Sequence, residues 1–249
     1  MPKAPQPIAP TPSRLIELLS TMTDTQEPIS HKNFSLHLSQ LIDLSDSFSL
    51  SDTFRGIPRL KAPQPTETDN KIKDAFIQHR SEMVSFIVKS FAATTEVSKP
   101  FRLPELTAEH LQGNDDAFDR YLRFYVLQQS DLDAKINQCR NFVRKSIENH
   151  SLPMKQLVTL DIAVSNTISA NTRQAFAMVP KLLKIRFQQL LSSHENSPIE
   201  VDLAGTPILP WLNDFLFEMR QILLAELDVR LQPVLGLIEA FDEEINTPS

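Results

Sequence analysis

Glycine is scarce here, with four in 249 residues. That rules out a glycine-rich phosphate loop and argues for helix, because glycine costs a helix interior about 1 kcal/mol relative to alanine. Cysteine is scarcer still. A lone Cys139 excludes a disulfide framework within the chain and fits a reducing compartment. No run of about 18 uncharged apolar residues occurs. The best candidate, Leu203 to Phe217, is short and carries Asp214. With no apolar stretch after Lys3, there is also no secretory signal to read, and the expectation is a soluble, cytoplasmic protein.

Catalytic signatures are missing too. The H-E-x-x-H, C-x-x-C, G-x-S-x-G and Glu-x-x-His patterns of zinc, redox, hydrolase and di-iron sites do not occur. The six histidines are scattered, and His79 falls inside an apolar stripe as a packing residue. Asp43, Ser45 and Ser47 imitate the first ligands of a calcium loop. Phe48 then stands where that loop needs glycine, and Phe54 where it needs glutamate, so these residues read as helix caps. The expectation is a chain with no catalytic, cofactor-binding or metal-binding residues and no small-molecule substrate.

Long periodic segments take the place of motifs. Phe118, Leu122, Tyr125, Gln129, Leu132, Ile136, Cys139, Val143 and Ser146 recur at alternating spacings of four and three. A second seam runs Leu157, Leu160, Val164, Ile168, Asn171, Ala175, Met178, Leu182 and Ile185, and a third Leu212, Leu216, Met219, Leu223, Leu227, Leu231, Val234, Ile238 and Phe241. Such heptads predict coiled-coil-like helices. Gln129 and Asn171 are polar members that could pair across the seams and fix their register.

The 18 prolines punctuate these helices. They divide the chain into a proline-rich arm (1–12), short N-terminal helices (13–56), a linker (57–70) and a long-helix bundle (71–246). The bundle helices are expected near 71–93, 115–149, 152–192 and 209–245. Pro180 and Pro233 are the interior exceptions, and Pro180 should kink its helix near Phe176. The predicted fold is all-α: an elongated helical bundle built on a long antiparallel hairpin plus a long C-terminal helix.

Charge is unevenly distributed. From Arg120 to Leu190 there are 11 Lys/Arg against 4 Asp/Glu, whereas from Leu191 to Ser249 there are 2 against 11. Either the acidic last helix complements the basic hairpin, or the two faces serve different partners. The basic face of the 115–192 hairpin keeps a nucleic-acid reading open as the alternative.

Three stretches carry a family resemblance. They are Arg14-Leu-Ile-Glu-Leu-Leu19 followed by Phe34 to Leu44, the segment Tyr121 to Cys139 with its Gln128-Gln129, and Leu223 to Ala240. Together they resemble an uncharacterised proteobacterial family, domain of unknown function 3348. The family commonly has a tryptophan in its first core helix, where this chain has Leu41 and Leu44. The resemblance brings no activity. It implies a genomic setting beside an inner-membrane protein of motor-stator or proton-channel type and a peptidoglycan-binding partner.

The resulting expectation is a non-enzymatic helical adaptor for a protein partner, with a membrane-associated complex of that type as the expected setting. Its candidate contact residues are Leu15, Leu18 and Leu19 on the first short helix, and Glu226, Arg230 and Pro233 on the last. The seams can close within one chain or between two copies.

Overall fold

A computed structural model describes residues 13–23, 44–64, 71–92, 97–104, 114–194, 200–201 and 207–246. The proline-rich arm and the helix expected over Phe34 to Ile42 lie outside these residues. Among the described residues the fold is an all-α bundle of seven helices. They are α1 Arg14–Thr23, α2 Leu44–Gly56, α3 Ile72–Phe91, α4 Asn114–Ile147, α5 Leu152–Phe176, α6 Val179–His194 and α7 Pro210–Asn246. A two-residue antiparallel ladder, β1 Glu200–Val201 with β2 Pro207–Ile208, lies between α6 and α7. No described helix is long and apolar enough to cross a membrane.

The axis is α7, a 37-residue helix about 55 Å long. It packs against α4, α3, α6 and α1 and is buried around most of its middle. The expected hairpin is present, with α4 and α5 joined by a turn at Glu148–His150, yet the main partner of α4 is α7. Ser151 caps α5 by accepting the Met154 N–H at 3.1 Å, with Pro153 in the first turn where its missing donor is not needed. The helix expected over 152–192 is two helices. The regular helix is interrupted at Ala177–Met178, where Ala177 keeps right-handed backbone angles but the Met178 N–H bonds the Ala175 carbonyl three residues back, and α6 restarts with Pro180 in its own first turn.

The core centres on Phe187. Its ring packs on Phe118 (5.5 Å), Tyr121 (6.1 Å), Trp211 (5.4 Å) and Phe215 (5.2 Å), joining α4, α6 and α7. In α4 the expected seam is buried at Phe118, Tyr125, Leu132, Ile136, Cys139 and Val143, with Tyr121 and Ile147 more deeply placed than Leu122 and Ser146. In α7 it is buried from Met219 to Phe241, whereas Trp211 and Phe215 take the core places expected of Leu212 and Leu216.

The second seam is a correction. On α5 and α6 the buried residues are Met154, Val158, Thr167, Val179, Pro180, Leu183 and Phe187, while Val164, Ile168 and Ala175, Met178 between the two helices, and Ile185 are exposed. Two contacts set the rotation: α2 packs along one side of α5, and a charged cluster joins another side to α4. Asp161 accepts from Arg140 Nε at 3.1 Å and Arg144 Nε at 2.7 Å, and Ser165 accepts from Arg140 Nη1 at 2.9 Å. This partly buried cluster turns the Met154–Val158–Asp161–Ser165 side of α5 toward α4. Heptad spacing alone does not encode that rotation.

Truncating Phe187 to alanine should lower stability by about 3–5 kcal/mol. Urea unfolding followed by the emission of Trp211 measures it. Phe217→Ala, on the exposed side of α7, should change stability by less than about 0.5 kcal/mol.

Candidate functional site

The polar centre of the bundle is Glu226. An α-helix places it on the same side as Arg230, one turn later. Because α7 is enclosed in this region, the pair faces protein rather than water, and Glu226 is only 1% exposed. Tyr125 and Gln129, also one turn apart, come to meet it from α4. Tyr125 Oη donates to Glu226 Oε1 at 2.8 Å, and Gln129 Nε2 reaches both carboxylate oxygens at 2.9 Å. Arg230 Nη2 donates to Oε2 at 3.2 Å, while its Nη1 reaches Asp133 Oδ1 at 3.3 Å. The guanidinium carbon lies 4.0 Å over the Phe176 ring. Gln129 also reaches the Phe176 carbonyl at 3.4 Å, so the same cluster holds the end of α5.

Burial pushes the Glu226 carboxyl up from its usual range, against the opposing pull of Arg230 and of its hydrogen-bond donors. Burial, then the Glu226 charge, raises Tyr125 in turn, so its hydroxyl stays a donor at neutral pH. The carboxylate is met by Tyr125, Gln129 and Arg230 together. These contacts join α7 to α4 and to the Phe176 end of α5. A cleft of about 250 Å³ adjoins it, lined in part by Ser130, Asp133, Thr172, Arg173 and Arg230.

A second feature is an open groove of about 760 Å³ along the outer side of α3. Ile77, Phe86 and Val97 form its apolar part, and Asp74, Glu82 and Lys89 its charged edge. Ile77 is 55% exposed.

The six contact residues expected from the sequence lie in three separate places. Leu15 is buried at 8% exposure, and Leu18 and Leu19 pack partly buried on the core, because α1 docks on α6 and α7. Arg14 Nη2 secures that docking with a 2.6 Å bond to Gln221. Glu226 is inside the bundle rather than on its surface, and Arg230 is half-buried at the edge of the cleft beside it. Pro233, within the same helix, is exposed. Sequence reasoning missed Tyr125 and Gln129 as partners of Glu226. The available signal was a polar residue interrupting each of two apolar helices, since buried polar groups require each other. Gln129 pairs with Glu226 rather than with Asn171.

The remaining candidate chemistry is quiet. Burial pushes the Cys139 thiol up to about 11, leaving it protonated at neutral pH. Among the described residues no group of His, Cys, Asp and Glu is placed to hold a metal ion. Of the basic residues on the hairpin, Arg140 and Arg144 close on Asp161, and Arg186 makes two bonds to Glu218 at 2.6 and 2.8 Å.

Glu226→Ala leaves Tyr125, Gln129 and Arg230 without their shared acceptor and should cost about 3–5 kcal/mol. A carboxyl whose folded pKa is raised binds more protons in the folded state, so its contribution declines as pH rises from the unfolded carboxylate range to the raised value. Unfolding midpoints across mildly acidic pH should show that downward slope in the wild type. Glu226→Gln should lack it.

A family model described as "Protein of unknown function (DUF3348)" matches residues 1–243. No curated protein and no solved structure matches the chain.

Proposed function

The chain belongs to the DUF3348 family, and since that membership assigns no activity, we propose from the geometry that it is a non-enzymatic helical adaptor. It docks a helical segment of a protein partner along α3. The observation carrying this reading is the groove. From Asp74 to Lys89 its α3 lining runs over about four turns, or roughly 22 Å, the length of a short docking helix. Its apolar floor takes the apolar stripe of such a helix, and Asp74 and Glu82 favour an occupant with basic residues.

That charge fits a segment next to a membrane span. Cytoplasmic flanks of membrane helices carry an excess of Lys and Arg. An inner-membrane complex of motor-stator type follows from the family resemblance, and the acidic groove is compatible with it. The nucleic-acid alternative gains no support, with three hairpin arginines already paired to carboxylates.

Membrane sedimentation from native cells tests the proposal. The wild-type chain should pellet with membranes, and Asp74→Lys combined with Glu82→Lys should reduce the pelleted fraction roughly tenfold through lost charge complementarity. A variant that pellets as fully as the wild type would remove α3 as the docking face.

A further inference from the structure

We infer that the α3 groove is directional: it takes its helical occupant antiparallel to α3, with the acidic start of that helix beside Lys89 and its basic end beside Asp74. The inference rests on the docking reading above and specifies the partner's chemistry.

Charge along the groove is graded. Asp74 stands in the first turn of α3, Glu82 near its middle and Lys89 in its last turn, all three exposed along the groove. Lys73 and Arg80, by contrast, turn toward α7 and meet Asp242 and Asp228 at 3.1 and 2.8 Å. The first half of the groove is therefore acidic and its far end basic. Glu82 accepts a bond from Gln78 at 3.0 Å, whereas Asp74 has no side-chain partner among the described residues. That leaves one carboxylate at the Ile72 end for a cation on the occupant.

Helix dipoles select the same direction. The start of α3 carries partial positive charge and its end partial negative, so an antiparallel neighbour sets its own ends against opposite ones. An occupant that begins on Asp or Glu and ends on Lys or Arg also compensates its own dipole. A parallel occupant could match the groove only by carrying basic residues in its first turn, against its own dipole. Ser81 and Ser85, small and exposed in mid-groove, let the two helices approach closely enough for these terms to act. In a membrane protein, a helix whose basic residues come last is one that leads from the cytoplasm into a span, because cytoplasmic flanks are rich in Lys and Arg.

An amphipathic peptide of eighteen residues tests this against the full chain. It carries leucines on one face, glutamates in its first turn, lysines in its last and a benzophenone on its first residue. Fluorescence anisotropy should show saturable binding, and photo-crosslinks mapped by mass spectrometry should fall on Ser85 to Lys89. Moving the benzophenone to the last residue should move the crosslinks to Asp74 to Gln78. Asp74→Lys combined with Glu82→Lys, both at exposed positions, should weaken binding roughly tenfold with circular dichroism unchanged. Leu235→Glu, on the exposed side of α7, should leave it intact. Saturable binding with the crosslinks reversed, or spread equally over both ends, overturns the direction and leaves the groove as a docking face. Absence of saturable binding overturns both.

Discussion

The contact on which the arrangement depends is the meeting of Glu226 with Tyr125 and Gln129. Apolar seams attract but discriminate poorly, since a row of leucines slipped by one turn still meets leucine or isoleucine. A buried carboxylate cannot slip. Moving α7 one turn along α4 would strand Glu226 without donors in a dry interior, at several kcal/mol. The cluster therefore sets the register that the apolar residues make stable. Because Gln129 also reaches the Phe176 carbonyl, the same register places the break between α5 and α6.

Around that fixed point the charges of the last helix are used in layers. Inside, Glu226 meets Arg230. Further out, Glu218 meets Arg186 on α6, and Asp228 and Asp242 meet Arg80 and Lys73 on α3. The acidic C-terminal segment is thus complemented partly by the hairpin and partly by α3. The pairs of Asp228 and Asp242 are exposed and contribute little stability individually, whereas the two-bond Arg186–Glu218 pair is half-buried. They do bias α3 and α6 toward their own sides of α7.

Much of this was legible in the sequence, and the failures share one cause. Glycine scarcity and heptad spacing identified helices, and α4 and α7 show their apolar stripes inside because each is enclosed by several neighbours. The α5 stripe was read with equal assurance and lies outside. Spacing reports that a helix has an apolar side but not which element covers it, and the packing of α2 together with the Asp161 pairing to two arginines decided that rotation. The same limit applied to Glu226 and Arg230. A pair one turn apart looks identical at the surface and in the core until the number of helices around it is known. Leu15, Leu18 and Leu19 admit two readings in the sequence, a docking surface or a helix packed on its own domain, and the contacts of α1 with α6 and α7 give the second. Pro180 was legible as an interruption, and the helix is interrupted just after Phe176, where a kink was expected.

The short ladder between α6 and α7 has a practical consequence. Pairing Glu200 with Ile208 and Val201 with Pro207 closes the chain on itself just before the longest helix begins. Whatever length of polypeptide separates Val201 from Pro207, the ends delivered to the bundle are the same. Loop-closure entropy grows only logarithmically, by about 0.6 kcal/mol for each doubling. A connection whose two ends are held together by this ladder is a natural place to splice in a fluorescent or affinity module while leaving the flanking helices as they stand.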